Sequence, residues 1–383
     1  MELPEMVKYV GVDDTDLELF EGQYPIPEGC SYNSYVILDE KVCVMDTVDD
    51  RKTDEWLANV RQTLNGRTPD YIVVLHCEPD HAGSVVEAVT AYPAATIVCS
   101  AKAQQFLLQF HPTLKLDGKV QVIKEGDELV LGKHVLTFVA APFVHWPEVM
   151  MAYEKTDGIL FSADGFGKFG ALQNETDDWA TEARRYYFNI CGKYGTQVQN
   201  VLKKAAALNI NVICPLHGPV LTSNIGYYVG LYDTWSSYKA ETDGVFVAYC
   251  TLHGGTEDAA KVLVEVFERQ GRKVVARNLG LADMSECVSL AFEYSKMVLC
   301  APTYDAAVMP VMADFLHHLS AKNFQKRTVA LVENGTWAPQ AARTMTKIIE
   351  TMNDVAIDET IVSIRSRMTP ENVSALHALA ERF

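Results

Sequence analysis

The 383-residue chain is short of positive charge: 33 lysines and arginines stand against 50 aspartates and glutamates, a formal net charge of −17. Such an acidic surface repels phosphate backbones and excludes nucleic acid as a partner. No apolar run approaches the roughly 18 residues that a membrane-spanning helix needs. The start, MELPEMVKYVGVDDTD, is too acidic for a secretory or transit segment. Both absences predict a soluble, cytoplasmic protein. The nine cysteines, at positions 30, 43, 77, 99, 191, 214, 250, 287 and 300, are odd in number and never spaced C-x-x-C. That spacing argues against a disulfide framework or a four-cysteine metal knuckle and predicts reduced thiols. Internal repeats and low-complexity tracts are also missing. What is present is 48% hydrophobic residues, enough to give a core to each of the two or three domains that a length of this order predicts.

The chain changes character near residue 244. After the polar stretch Ser237 to Gly244, read as a short linker, apolar runs alternate regularly with helical patterns. Val245 to Cys250 reads as a buried strand, and Ala260, Leu263, Val264 and Phe267 then share one helical face. Further strands are predicted at Lys273 to Arg277, Lys296 to Ala301, Arg327 to Glu333 and Thr360 to Arg365. Five strands alternating with five helices predict a doubly wound parallel sheet. The first part is less regular. Tyr35 to Leu38 and Val42 to Met45 read as neighbouring strands, Trp56, Leu57, Val60 and Leu64 as a helical face, and Tyr71 to Leu75 as a strand buried on both sides. Several short strands are expected over 120–163, helices over about 177–190 and 197–208, and a strand at Asn211 to Pro215.

The most informative segment is His76-Cys77-Glu78-Pro79-Asp80-His81, directly after that buried strand. In an extended loop, residues 76, 78 and 80 project to one side, and a turn into the following helix brings His81 round. Two imidazoles and two carboxylates so close together need a cation to compensate them if they are buried. Each residue singly is as readily a helix cap or a solvated side chain; the four together point to a metal. Distant candidates stand at strand-to-loop junctions: His145 in FVHWP, Asp164 in FSADGFG and His217 in CPLHGP. Each of these alone is equally compatible with a turn. A nitrogen and oxygen donor set suits non-haem iron over structural zinc, and Cys77, the second residue of the hexapeptide, is expected to point away as a small core residue.

The pattern H-x-[HE]-x-D-H, followed by a later His, a later Asp and a final His, resembles the metallo-β-lactamase fold. Glu78 in place of a second His, HWP around His145 and the flavodoxin-like second half are similar to flavodiiron proteins. The likeness spans essentially the whole chain and includes Ser31-Tyr32-Asn33-Ser34-Tyr35 and Asp46-Thr47-Val48. It implies an α/β protein: a metallo-β-lactamase-like αββα sandwich over residues 1–243, then a flavodoxin-like, doubly wound five-stranded parallel sheet over 244–383. By motif position it also implies one iron on His76, Glu78 and His145, another on Asp80, His81 and His217, and Asp164 bridging the two.

The turn Thr251-Leu252-His253-Gly254-Gly255-Thr256 leads into a helix, with hydroxyls at both ends and glycines between. Backbone N–H groups and the helix N-terminus there suit a phosphate. Without the lysine of a triphosphate-binding loop, a single flavin phosphate fits better than ATP. Pro302-Thr303-Tyr304-Asp305-Ala306 and Asn334-Gly335-Thr336-Trp337-Ala338, at the ends of the third and fourth strands, resemble the isoalloxazine-binding loops of the family. Tyr304 or Trp337 is the candidate to stack on the ring of FMN.

The resemblance implies a reductase in which electrons pass from FMN to two irons, where dioxygen is reduced to water or nitric oxide to nitrous oxide. Two ferrous ions and one reduced flavin hold the four electrons that dioxygen needs; two nitric oxide molecules need two. An aromatic lining of the site is expected from Trp146 or Tyr194. The resemblance further implies a head-to-tail homodimer, or a dimer of dimers, and an external donor such as rubredoxin or a reduced flavin or deazaflavin carrier, favoured if it carries a basic patch. Two rival readings are a zinc metallo-hydrolase with a fused flavodoxin domain, which Glu78 opposes, and an electron carrier with a vestigial metal site.

Overall fold

The computed structural model describes residues 3–116 and 118–383; Met1 and Glu2 of the acidic start, and Asp117, lie outside the described residues. The chain forms two compact units, Met1–Tyr187 with Thr196–Asp233, and Phe188–Gly195 with Thr234–Phe383.

In the first unit a six-stranded sheet runs in the order Val7–Tyr9, Tyr35–Leu38, Val42–Met45, Tyr71–Val74, Thr96–Ser100, Val120–Ile123. Its first three strands pair antiparallel and the rest parallel. Val42–Met45 is buried along its whole length, which explains its unbroken apolar run, since each face is covered by another layer. On one face, Val85, Ala103 and Leu107 of the helices Val85–Ala91 and Ala101–Phe110 pack with Val74, Ile97 and Cys99. Trp56, Leu57, Val60 and Leu64 are the buried residues of the helix Thr53–Leu64, the face that their spacing predicts. On the other side stands a five-stranded sheet in the order Glu128–Val130, Val135–Ala140, Met150–Glu154, Ile159–Phe161, Val212–Cys214. The Tyr35 and Phe161 rings meet edge to face at 5.5 Å. Asp39 adds a polar clamp: one carboxylate oxygen accepts from the backbone N–H of His134 at 2.6 Å and lies 2.7 Å from its Nδ1. These two facing sheets are the centre of the αββα sandwich that the resemblance implies.

The second unit carries the parallel sheet, in the order Lys273–Asn278, Thr242–Tyr249, Tyr294–Tyr304, Arg327–Asn334, Val355–Ile364. By chain order this is 2-1-3-4-5, so the connection reverses direction beside the first strand and leaves a crevice at the strand ends. Five helices, Gly255–Arg269, Met284–Glu293, Pro310–Ala321, Ala341–Ile349 and Pro370–Arg382, alternate with the strands.

Three local expectations change. Residues 242–244, read as linker, begin the first strand of this sheet. The fifth strand starts at Val355 rather than Thr360; all of its first seven residues are exposed or half-buried, so an edge strand shows no apolar run there. The ligand-rich segment is not extended throughout. Pro79 begins a helical turn, Pro79–Ala82, because its fixed φ suits a first helical position. That turn carries Asp80 and His81, and a separate helix, Val85–Ala91, follows it.

Between those two helices Gly83 lies against the Val48–Asp50 backbone: a Cβ there would sit 2.7 Å from Asp50 N and 3.2 Å from Val48 O. Gly83→Ala is therefore expected to lower stability by about 1–3 kcal/mol, the usual cost of overpacking, in a chemical denaturation series. An unchanged midpoint would mean that the ligand turn is not pinned there.

Candidate metal centre and flavin pocket

Four strand ends deliver the donor groups of the first unit. Tyr71–Val74 leads into His76 to His81; the connection from Val135–Ala140 to Met150–Glu154 carries His145; Asp164 follows Ile159–Phe161; and His217 follows Val212–Cys214. The structure gathers His76, Glu78, His145 and Asp164 into one cluster and Asp80, His81 and His217 into a second.

Asp164 stands between them. Its Oδ2 lies 3.2 Å from His76 Nε2 and 3.1 Å from His145 Nε2, while its Oδ1 lies 3.1 Å from His81 Nε2 and 3.8 Å from His217 Nε2. Glu78 Oε2 is 2.9 Å from His145 Nε2, and Asp80 Oδ2 is 3.2 Å from His217 Nε2. Separations near 3 Å are those between neighbouring donors around a cation with bonds of about 2.0–2.2 Å. The His81 ring faces the centre through Nε2.

The hydrogen-bond pattern supports a cation. Both carboxylate oxygens of Asp80 and of Asp164, both ring nitrogens of His81, and Nε2 of His217 are buried without a hydrogen bond. Buried polar atoms are otherwise nearly always satisfied. These atoms approach one another closely yet are not aimed at one another, as expected of groups converging on a common point. A pair of divalent ions fits this donor set, and its lack of sulfur suits iron. Cys77 turns away, as expected, and its thiol donates to the Ala103 carbonyl at 3.5 Å.

The surroundings hold the donors in place. Ser31-Tyr32-Asn33-Ser34-Tyr35 acts on the His217 loop: Asn33 Nδ2 donates to the carbonyls of Pro215 and Gly218, both at 2.8 Å, and the Tyr35 hydroxyl donates to Pro215 O at 2.8 Å. His217 Nδ1 lies 2.7 Å from the Ser31 carbonyl. Asp46-Thr47-Val48 acts on the ligand turn: Thr47 donates to the His81 carbonyl through N and Oγ1 at 2.9 and 2.7 Å, and Val48 O accepts from Ser84 N. Asp46, whose carboxyl burial pushes up to about 7, accepts the Leu75 N–H at 2.7 Å. Glu148, unforeseen from sequence, lies 2.8 Å from His76 Nδ1. Nothing in a single sequence separates it from a solvated glutamate beside Pro147. Trp146 lines the site, its ring 5.2 Å from His76 and stacked on Phe110 at 5.9 Å. Phe20, Tyr186 and Tyr32 surround His217 at 5.3, 5.5 and 6.2 Å. Tyr194, the other aromatic expected at the site, belongs to the second unit.

In the second unit the strand ends enclose a cavity of about 560 Å³, within the usual range for cofactor sites. It is lined by Thr251, Leu252, His253, Gly255, Thr256, Pro302, Thr303, Tyr304, Asp305, Ala306, Asn334, Gly335, Thr336, Trp337 and Ala338. Gly254 is not among the lining residues; with φ at 86° it caps the helix Gly255–Arg269, and its N–H donates to Thr251 Oγ1 at 3.0 Å. A Cβ on Gly255 would fall 2.1 Å from the Ser366 carbonyl, so only glycine lets the loop after the fifth strand close on this turn. That loop supplies Ser366 and Arg367, and Gln340 completes the lining. Arg367 Nη1 donates to Asp258 at 3.0 Å and Nη2 to the His253 carbonyl at 3.2 Å, which sets a guanidinium against the phosphate-type turn. Thr303 and Tyr304 extend the third strand and pair with Val308 and Ala307 across a two-residue turn. Asp305 and Ala306 in that turn have φ of 47° and 57°, strain that a functional site often holds. Tyr304 and Trp337 are 44% and 86% exposed, so both faces are free to take a planar ring.

The family model described as ODP family beta lactamase matches residues 30–218. Over 322 residues the chain is 28% identical to the nitric oxide reductase of Moorella thermoacetica, covering 82% of this chain and 80% of that protein. Two solved structures match it with a TM-score of 0.92: the rubredoxin oxygen:oxidoreductase of Desulfovibrio gigas at 25% identity and the flavodiiron protein of Giardia intestinalis at 26%. Each match covers 100% of this chain and 96% of the other.

Without metal the centre holds itself together by charge. Burial lowers the basicity of His145, but Asp164 and Glu78 outweigh it and raise its pKa from 6.5 to about 9. Burial opposes ionisation of Asp164, yet His76, His81 and His145 hold it well below the usual carboxylate range. A histidine raised on folding adds stability that is complete below about 6.5 and lost as pH rises through about 9. The melting temperature of metal-free protein should therefore fall between pH 6.5 and 9.5, and metal loading should remove that fall. A flat profile for the metal-free form would contradict this charge arrangement.

Proposed function

We propose, from the premise that this chain belongs to the flavodiiron proteins, that it is an oxidoreductase passing electrons from FMN to a non-haem diiron site that reduces dioxygen to water, nitric oxide to nitrous oxide, or both. The observation that carries the reading is the Asp164 carboxylate with one oxygen toward each of two histidine-carboxylate clusters. When bound, FMN accepts and stores electron pairs, and the irons offer redox equivalents and open positions to a diatomic gas.

The chain's own residues bind, orient and keep the centre dry. His76, Glu78 and His145 would hold one iron and Asp80, His81 and His217 the other, with the Asp164 carboxylate facing both positions. Glu148 and the Ser31 carbonyl fix the His76 and His217 rings, so that each presents Nε2 to the centre. Trp146, Phe20 and Tyr186 line the site with apolar surface, which limits water and suits a small apolar substrate. On the flavin side, the turn from Thr251 to Thr256 receives the phosphate, and the loops 302–306 and 334–338 receive the isoalloxazine. Two carboxylates in the first helical turn, Glu257 and Asp258, would repel a phosphate; Lys261 pairs with the first at 2.6 Å and Arg367 with the second at 3.0 Å. Arg367 thereby removes the repulsion and keeps N–H donors facing the turn.

The division of labour follows the chain, a diiron domain and then an FMN-binding domain, with the 243/244 boundary read from the sequence moved ahead of the strand Thr242–Tyr249. A zinc hydrolase is the less favoured reading, since Glu78 takes the place of a histidine and the similar proteins named above are oxidoreductases. Nine buried cysteines, none of them spaced C-x-x-C, support a reducing, cytoplasmic location, and no helix among the described residues is long and apolar enough to cross a membrane. The donor is rubredoxin or a reduced flavin or deazaflavin carrier, and the working form is a homodimer or a dimer of dimers.

Protein purified without oxygen should carry two irons and one FMN per chain and consume dioxygen or nitric oxide when given a chemically reduced donor. Asp164→Ala should abolish that consumption and leave the flavin spectrum intact; an active Asp164→Ala protein would refute the bridging role. Arg367→Ala should weaken FMN binding roughly tenfold or more, the worth of a charge-assisted hydrogen bond, and leave riboflavin binding unchanged in a fluorescence titration. Equal losses for both flavins would remove Arg367 from the phosphate site.

A further inference from the structure

The two donor clusters are matched in their inner charge. Each offers two imidazoles and one carboxylate of its own, His76, His145 and Glu78 against His81, His217 and Asp80, and Asp164 faces both. The symmetry breaks behind the imidazoles. His76 Nδ1 lies 2.8 Å from Glu148 Oε1, with both side chains fully buried, and the same oxygen accepts the Cys77 N–H at 3.0 Å. His217 Nδ1 lies 2.7 Å from the Ser31 carbonyl oxygen and 3.3 Å from Cys30 Sγ, so no carboxylate stands behind it. His81 Nδ1 has no hydrogen bond.

A second observation concerns Glu148 itself. It is 2% exposed, and its Oε2 makes no hydrogen bond. Burying a carboxylate with one oxygen unsatisfied is costly unless positive charge lies close by. Glu148 touches one group able to carry it, the His76 ring, and an ion held on that ring's far side would add to it. A carboxylate accepting from Nδ1–H draws the proton toward itself, fixes the tautomer and makes Nε2 a stronger donor to the metal. A backbone carbonyl does this more weakly.

We propose that Glu148 is a positioning residue that makes the two metal positions unequal, so that the position formed by His76, Glu78 and His145 binds its ion more tightly and retains the ferric state to a lower potential than the position formed by Asp80, His81 and His217. The proposal rests on the diiron reading above and adds an order to it. The extra buried negative charge stabilises a trivalent ion more than a divalent one, and the low dielectric around these residues strengthens the effect. During reduction, the position on the His217 side accepts its electron first.

The test is an anaerobic titration of the metal-free full chain with ferrous ion against a competing chelator, together with a reductive titration of the iron-loaded protein. Wild type should fill in two steps and show two potentials. Glu148→Gln keeps an oxygen that accepts from His76 Nδ1 and Cys77 N but removes the charge. It should weaken only the tighter step, by about 10–100-fold, and raise only the lower potential. Glu148→Asp, which keeps the charge, should retain the two-step behaviour, and the flavin spectrum and melting temperature report whether each variant folds. Two identical steps in wild type would overturn the proposal even if no variant folds, as would a Glu148→Gln protein that loses both steps alike or neither. Wild type that takes up no pair of ions would overturn the diiron reading as well, a failure distinct from two ions held equally.

Discussion

Charge has to be balanced where four imidazoles and three carboxylates are packed together out of water. Asp164 is 1% exposed, and His76, His81 and His217 are fully buried. Seven such groups within reach of one another have two ways to persist: trading protons among themselves, or sharing cations. The first is visible in the raised His145 and the depressed Asp164. The second accounts for what proton sharing leaves over, the buried oxygens and nitrogens that make no hydrogen bond. Most of the neighbouring structure serves this constraint. The Ser31 to Tyr35 segment clamps the His217 loop, Asp46 to Val48 clamp the ligand turn, and Gly83 lets that turn lie against the chain at Asp50.

The second unit solves a milder problem by similar means. Its sheet reverses direction beside the first strand and leaves a crevice, and Gly255, behind the Gly254 cap, begins the helix whose N-terminus faces that crevice. The carboxylates of the adjoining helical turn are neutralised by Lys261 and Arg367. The result is a cavity whose phosphate end is polar and whose open end presents Tyr304 and Trp337, the chemistry of a flavin phosphate and of its ring.

Legibility in the sequence followed the density of information in each segment. Six residues from His76 to His81 hold four donors, and no ordinary surface or core pattern does so. His145, Asp164 and His217 were ambiguous singly, because a polar residue at a strand-to-loop junction is as readily a turn residue. Core strands such as Val42–Met45 showed as unbroken apolar runs because both faces are covered. The half-exposed start of the edge strand Val355–Ile364 gave no such run, and the two- and three-residue strands before Tyr32 are too short to show a period. Glu148 and Arg367 were illegible for another reason. Each acts through a contact made by folding, across 72 residues to His76 and across 109 to Asp258, and nothing in their local sequence marks either one.

The central claim is that Asp164 lies between two iron ions. Anomalous scattering from an anaerobically grown crystal, recorded on both sides of the iron absorption edge, tests it most directly. Two iron peaks about 3.5–4 Å apart, one on each side of the Asp164 carboxylate, are the result this account predicts. A single peak, a signal that appears only at the zinc edge, or no density within reach of the seven donor groups would contradict it.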